Sequence, residues 1–435
     1  MITDQIHFRC SNRKMIMNYT HHWRSMAIND VLKRIESSEA NMIRDMSAII
    51  KVPAIGPMNG GSGEGERADV IVDILKKCDI GFDSIERVDV EDIHYPGVMR
   101  PNILAKKNGH GKGTVWIISH TDTVLPGDLE EWDTPPYEPT LKGRKLHGLG
   151  TEDNGQAMIA SLYGAKFIEL GKGSRRSIGL AFVADEETTS LMGVETLIQK
   201  GKFTEDDVII VPDWGVPGGT MIEVAEKHLI WLKFMVEGKQ THGSTPNKGL
   251  NAFRVSTKLL ADIMERFEKK YSEVNEIFRP NVSTFEPTKS PATIGSVNII
   301  PGYDEFHMDI RVLPEYDPDE IIEFAKKVAK EHEKLSGAKI TVEVEQRTYA
   351  GRPSSITSEE YKAFEDSVRS VIGKEPETVG VGGGTCANFF RLKGMDAYVW
   401  QCGGGSLHQP NEYVEIDNLV TDAKVYATLF YKLCV

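Results

Sequence analysis

Three apolar runs in this sequence stop at side chains that bind metals or move protons. Residues 114–119 lead into His120-Thr121-Asp122, residues 178–184 into Asp185-Glu186-Glu187, and residues 208–211 into Pro212-Asp213. In an extended chain, residues i and i+2 share a face, so His120 and Asp122 point the same way and offer an imidazole beside a carboxylate. Two more candidates follow the same logic. Asp153 closes G-L-G-T-E-D just ahead of a helical pattern, and His408 lies in G-G-G-S-L-H-Q-P-N-E-Y after another apolar run. Taken singly, each has an ordinary reading. Asp153 reads as a helix cap, Asp213 as a turn residue, Asp185-Glu186-Glu187 as charges at a helix N-terminus, and His408 as a satisfied histidine. Taken together they fit one site, because in open α/β sheets the ligand crevice lies beyond the carboxyl ends of the strands. So many carboxylates in one crevice repel one another unless cations neutralise them. Oxygen and imidazole donors without thiolates suit zinc, cobalt or manganese. Their number suits two ions, which in such sites sit about 3.5 to 4 Å apart around a shared carboxylate and activate a water.

The elements that position these groups follow from periodicity. Val31, Leu32, Ile35, Met42, Ile43, Met46 and Ile49 predict a helix over 28–50, ended by Val52-Pro53. After the loop G-G-S-G-E-G, a second amphipathic helix carries Val70, Ile71, Ile74 and Leu75. Strands are expected at 102–105, 114–119, 178–184 and 208–211, with helices over 156–170 and 191–200. Near-continuous apolar strands alternating with helices predict an α/β fold with a mostly parallel sheet covered on both faces. From about 227 the pattern changes to β-α-β-β-α-β, with strands at 229–237, 292–299, 305–313 and 340–345 and helices over 252–270 and 318–336. A small α+β domain at 227–345 is thus inserted into a sheet domain made of 27–226 and 346–435. That second segment carries a helix over 359–372 and a strand at 397–401. Residues 1–26 are polar, unpatterned and expected to be a disordered extension.

A chain of 435 residues exceeds one hydrophobic core, which agrees with two domains. With 51 basic and 64 acidic residues its net charge is −13, which argues against nucleic-acid and anionic-membrane partners. Cys10, Cys78, Cys386, Cys402 and Cys434 show no C-x-x-C spacing, so neither a disulfide framework nor a thiolate metal site is expected. No run approaches the ~18 apolar residues of a membrane helix, and the N-terminal segment has no signal-peptide stretch. The expected location is the cytoplasm.

H-T-D-T-V at 120–124, the G-x-G-x-x-D block at 148–153, A-D-E-E at 184–187, T-H-G-S-T-P-N-K-G-L-N-A at 241–252 and H-Q-P-N-E-Y at 408–413 carry a resemblance. In this order they resemble the co-catalytic zinc amidohydrolases and peptidases, the family of aminoacylase, acetylornithine deacetylase, succinyl-diaminopimelate desuccinylase, carboxypeptidase G and several dipeptidases. The resemblance covers residues 27–435. It implies a catalytic domain of zinc-exopeptidase type, a ferredoxin-like lid and dimerisation domain at 227–345, and a homodimer formed through that lid. It further implies that Asp153 bridges two divalent metal ions, zinc with cobalt or manganese as alternatives. His120 and Asp213 would complete one coordination sphere, and Glu187 and His408 the other. Asp122 would hold the far nitrogen of His120, and Glu186 would be the general base that takes a proton from water and returns it to the leaving amine. His242 resembles a histidine that reaches into the partner subunit's site and stabilises the oxyanion. The bond between Asp153 and Asn154 is implied to be cis.

Two departures bear on the substrate. Family deacylases often carry G-G-T-D-x-R, whose Arg holds the substrate carboxylate, whereas this chain reads G-G-T-C-A-N with Cys386 and Asn388 at those places. Arg311 in D-I-R-V-L-P, Asn298 and Asn388 are the candidate substrate-binding residues. Asp213 stands where several deacylases have Glu, and Asp there goes with dipeptidase and aminopeptidase members. The expected activity is hydrolysis of the amide bond of a small N-acyl amino acid, in the manner of the desuccinylase or the acetylornithine deacetylase. A dipeptidase or aminopeptidase acting on short peptides is the alternative. The rival from another class is a non-catalytic metal- or peptide-binding relative, against which the presence of Glu186 argues, since metal binding does not need it.

Overall fold

The computed structural model describes residues 28–291 and 296–435, so the extension at 1–26 lies outside the described residues. The chain divides into two compact units. One holds the chain up to Thr220 with Thr357–Pro376 and Val399–Val435, and the other holds Met221–Ile356 with Glu377–Tyr398.

In the first unit, aliphatic sequence without a charged interruption makes Thr114–His120 and Ser177–Val183 strands that are buried along their whole length. They pair in parallel, Thr114 opposite Ser177 and His120 opposite Val183. Val208–Val216 joins the other side of Thr114–His120, again parallel, with Ile117 opposite Ile210. That register puts Asp213 level with His120, and Asp185 to Glu187 follow Val183 after a single alanine. Strand direction therefore delivers all three polar clusters to one end of the sheet. On the far side of Ser177–Val183 lie two antiparallel strands, Met99–Lys107 and then Ser84–Glu91. The helices Gln156–Lys166 and Ile416–Cys434 pack on each other. Gly164 permits this approach, since a Cβ there would stand 3.0 Å from both the Ala423 carbonyl oxygen and Tyr426 Cβ.

Several elements differ from the periodicity reading. The helix predicted over 28–50 is two helices, Ile28–Glu36 and Glu39–Ile50. Ser37 and Ser38 both donate their hydroxyls to the Arg34 carbonyl oxygen, at 2.9 and 2.8 Å, and such local bonds compete with the helix ladder. The helix predicted over 156–170 ends at Lys166. The segment 191–200 is a wide turn, Leu191–Glu195, kinked at Gly193 and followed by the short helix Thr196–Gln199. A small sheet of Thr140–Lys142, Lys145–His147 and Tyr413–Glu415 has strands too short to show a period.

The second unit contains a four-stranded antiparallel sheet in the order Thr284–Lys289, Tyr303–Val312, His228–Glu237, Lys339–Thr348. Alternation along His228–Glu237 turns Ile230, Leu232 and Phe234 into a core. Ala252–Lys270 adds Leu259, Ile263 and Phe267 to it, and Pro318–Ser336 adds Ile321, Ala325 and Val328. Phe234 stacks on Phe306 with ring centroids 4.6 Å apart. Part of the strand expected at 292–299, residues 292–295, lies outside the described residues. The described edge strand is instead Thr284–Lys289, whose register shifts between Pro287 and Lys289. A proline cannot donate to a ladder, which is why this stretch does not read as a strand in sequence. The unit also holds three parallel strands, Met221–Glu226, Glu377–Val381 and Phe278–Arg279, so it extends beyond the pattern read at 227–345. Among the described residues no helix is long and apolar enough to cross a membrane.

Candidate metal centre

The strand ends and two loops of the first unit gather their polar side chains into two linked triads. Nε2 of His120 lies 2.7 Å from Asp153 Oδ1 and 3.2 Å from Asp213 Oδ1. Nε2 of His408 lies 3.0 Å from Asp153 Oδ2 and 3.1 Å from Glu187 Oε2. His120, Asp153 and Asp213 form one group compact enough for a metal ion, and Asp153, Glu187 and His408 form the other. Asp153 thus gives one oxygen to each. It sits in the turn Thr151–Gly155, where the backbone leaves helical geometry at Asp153 and Asn154, and the peptide bond between these two is cis. The turn begins at Gly150 with φ +83, where a Cβ would meet Thr123 Cγ2 at 2.8 Å, so glycine is required on both counts.

Asp122 has a wider role than the H-x-D spacing suggests. Its main-chain oxygen lies 3.1 Å from His120 Nδ1, nearer than its carboxylate at 3.6 Å. The carboxylate oxygens accept the backbone N–H groups of Glu186 at 3.1 Å and Glu187 at 3.0 Å. An Nδ1–H donated to Asp122 leaves Nε2 of His120 unprotonated, the tautomer that a metal ligand needs. The same residue fixes the backbone that carries Glu186 and Glu187. Glu186 itself belongs to neither of these triads, although its carboxylate lies within 4.8 Å of an oxygen of Asp213.

The electrostatics are those of a cation-hungry crevice. Burial disfavours a charged His120, but Asp213, Asp153 and Asp122 outweigh it and raise its pKa well above the ordinary value. Hydrogen bonds to Asp153 and Glu187 push His408 up to about 11. Desolvation raises Glu186 well above the usual carboxylate range, with Asp213, Glu187 and Asp122 adding to it and His120 opposing. The surrounding carboxylates thus draw both imidazoles toward their charged forms. A direct test of fit is Glu187 Oε1, which is buried and has no hydrogen-bond partner among the described residues. An uncompensated buried carboxylate oxygen is costly, and a metal ion satisfies it. Nitrogen and oxygen donors without sulfur suit zinc, cobalt or manganese.

The side chains of four further residues support the site without having been given a role from the sequence. Glu412 accepts backbone N–H groups of the Asp153 turn, and Glu152 accepts those of the loop before His408. Asn154 donates through Nδ2 to the Pro212 carbonyl at 2.8 Å and to Asp213 Oδ1 at 3.0 Å. Arg100, fully buried, pairs with Glu64, with Asp92 at 3.0 Å and with Asp185 at 3.2 Å, just before Glu186. Glu412 lies within a motif that was visible in sequence, but nothing in its spacing marks it as buried.

The remaining candidates lie in the second unit. His242 is exposed on the short strand Thr241–His242, with Nδ1 2.8 Å from Ser244 Oγ. Asn298 is exposed and accepts the Ser296 hydroxyl at 2.6 Å. Arg311 grips Asp309 through Nε at 2.7 Å and Nη2 at 3.0 Å, and donates to the Gly382 carbonyl at 2.9 Å. Asn388 is buried and uses both ends of its amide on the chain itself, donating to the Tyr349 carbonyl at 2.8 Å and accepting Gly351 N–H at 2.7 Å.

A mostly parallel α/β sheet presenting two such triads around a shared aspartate defines a metal-dependent hydrolase of amide or peptide bonds. Peptidase family M20/M25/M40 matches residues 116–432, and the chain belongs to that family. An uncharacterized metallohydrolase of Methanocaldococcus jannaschii is 37% identical over 400 residues, 87% of this chain and 96% of that protein. Succinyl-diaminopimelate desuccinylase of Alkalilimnicola ehrlichii is 25% identical over 395 residues, 89% of this chain and 97% of that enzyme. Among solved structures, a tripeptidase of Staphylococcus aureus superposes with a TM-score of 0.71 at 18% identity, covering 91% of this chain and 98% of that one.

Proposed function

We propose that the protein hydrolyses the amide bond of a small N-acyl amino acid, using two divalent metal ions, zinc with cobalt or manganese as alternatives. His120 and Asp213 would hold one ion, Glu187 and His408 the other, and Asp153 would serve both. The observation that carries this reading is the pair of triads sharing Asp153, with Glu186 in neither. When bound, the metal supplies polarisation of the scissile carbonyl and a lowered pKa for the attacking water. The chain's own residues do the rest. Glu186 accepts a proton on its carboxylate as water attacks and passes it to the leaving nitrogen. Asp122 orients His120 and fixes the backbone of Glu186 and Glu187. His242, from the lid of the partner subunit in a homodimer, donates to the carbonyl oxygen as negative charge develops there. Residues 227–345 serve as that lid and as the dimer contact. Arg311 offers a fork shaped for a substrate carboxylate, in competition with Asp309, with Asn298 as a further candidate contact, whereas the buried Asn388 amide is already engaged by Tyr349 and Gly351.

The match to a desuccinylase over most of both chains supports an acylated amino acid as substrate. A short peptide is the second reading, favoured by Asp213 in the place where several deacylases carry Glu. The four described cysteines, Cys78, Cys386, Cys402 and Cys434, are buried and form no disulfide among the described residues, which supports a reducing cytoplasm. Purified protein loaded with zinc or cobalt, assayed against N-succinyl and N-acetyl amino acids and against dipeptides, tests the choice. Fastest turnover of an acylated amino acid is expected. Faster turnover of dipeptides selects the second reading, and no hydrolysis in either set overturns both.

A further inference from the structure

Two buried glutamates outside the triads, Glu152 and Glu412, are each aimed at the loop that carries the other. Glu152 is the neighbour of Asp153, yet its carboxylate reaches the loop that leads to His408. There it accepts the N–H groups of Gly404 at 2.5 Å, Gly405 at 2.9 Å and Ser406 at 2.8 Å, and the Ser406 hydroxyl as well. Glu412 follows His408 by one turn of chain and reaches the opposite way. It accepts the N–H groups of Gly150 at 2.8 Å, Glu152 at 2.8 Å and Asp153 at 2.9 Å. Their exposures are 0% and 1%. A Cβ at Gly404 would stand only 3.2 Å from Glu152 Oε2, so the backbone comes this close to the carboxylate because it is glycine.

Buried carboxylates are costly unless their lone pairs are filled, and here the filling groups are the backbones of the two ligand-bearing loops. The two imidazoles depend on this unequally. His120 ends a buried strand and is 2% exposed, whereas the His408 side chain is 54% exposed, on a loop where its own φ is +57. The position of His408 is therefore set by its loop rather than by packing around its ring.

We propose that Glu152 and Glu412 are positioning residues forming a reciprocal clasp, in which Glu152 sets His408 and Glu412 sets Asp153. The site formed by Asp153, Glu187 and His408 then depends on Glu152, and the site formed by His120, Asp153 and Asp213 does not. Both sites depend on Glu412, because Asp153 serves both. This inference rests on the two-metal reading.

Calorimetric titration of zinc ions into the metal-free full chain tests it without recourse to activity. Glu152→Gln puts an amide NH₂ against backbone N–H groups and should weaken one site about 10- to 100-fold, the range seen when a ligand's supporting partner is lost, with the other site unchanged. Glu412→Gln should weaken both. Ser406→Ala removes one of the four donors to Glu152, together with the acceptor of the Tyr413 N–H at 3.1 Å, and should weaken the same site as Glu152→Gln by a smaller factor. It also decides the matter if Glu152→Gln does not fold. The clasp is overturned if folded Glu152→Gln titrates like wild type or weakens both sites in parallel, or if Glu152→Gln does not fold and Ser406→Ala titrates like wild type. A wild-type chain that binds a single zinc ion overturns the two-metal reading instead.

Discussion

Glu186 and Glu187 are adjacent and alike, yet the structure gives them different surroundings. Glu187 Oε2 lies 3.1 Å from His408 inside a triad, whereas Glu186 lies in neither triad. Glu186→Gln is therefore expected to keep its metal and lose about 10²- to 10⁴-fold in kcat, the span that a general acid–base group contributes. Glu187→Gln should lose metal affinity. Metal analysis and kcat measured on the same preparations check the pair, and variants that keep both metal and rate would contradict the assignment. His120, Glu187 and Asp213 were legible because each stands where an apolar run gives way to polar residues and parallel strands send such ends to one place, whereas Asp153 and His408 were legible from the Gly-rich motifs that carry them. Glu152 and Glu412 were not. A buried glutamate that accepts backbone N–H groups has the same appearance in sequence as an exposed one, and Glu152 reads simply as an acid in the first turn of a helix.

Among the elements, the central strands and long amphipathic helices declared themselves through their period, while edges and short pieces did not. Ser84–Glu91 carries Glu, Arg and Asp on an outer strand, and Thr284–Lys289 contains Pro287, so neither has a clean alternation. What joins these elements is often a buried charge. Arg100 on Met99–Lys107 pairs with Glu64, Asp92 and Asp185. Arg100→Met strands three buried carboxylates and should cost about 3 to 5 kcal/mol in urea unfolding, as removal of one partner from a buried pair does. A loss below ~1 kcal/mol, the worth of a surface pair, would contradict this. Asp422 on Ile416–Cys434 tests helix docking through pH. Desolvation pushes its pKa up to about 7, against the hydrogen bonds it accepts from Gln156 and Cys402. Because the folded pKa is raised, the stability Asp422 contributes is complete below about pH 4 and lost as pH rises towards 7. The thermal midpoint of wild type should therefore fall relative to Asp422→Asn across that window. Parallel curves would show that Asp422 is not buried with a raised pKa.

For the whole molecule, the proposed dimer gives His242 a test in trans. Glu186→Gln and His242→Ala homodimers should each be nearly inactive, since every site lacks one group. After denaturation and co-refolding in equal amounts, about half the dimers are mixed if symmetric subunits pair at random. Each mixed dimer holds one site with both groups intact, so activity should return to roughly a quarter of wild type if the sites act independently. Recovery near zero, with mixed dimers confirmed by mass, would mean that His242 serves its own subunit. The proposed mechanism needs two metal ions held around Asp153, and the most direct measurement of them is the metal content of fully active enzyme by elemental analysis against protein concentration. Two ions per chain, with activity lost on chelation and restored as the second ion returns, is the predicted result. One ion per chain at full activity would contradict it.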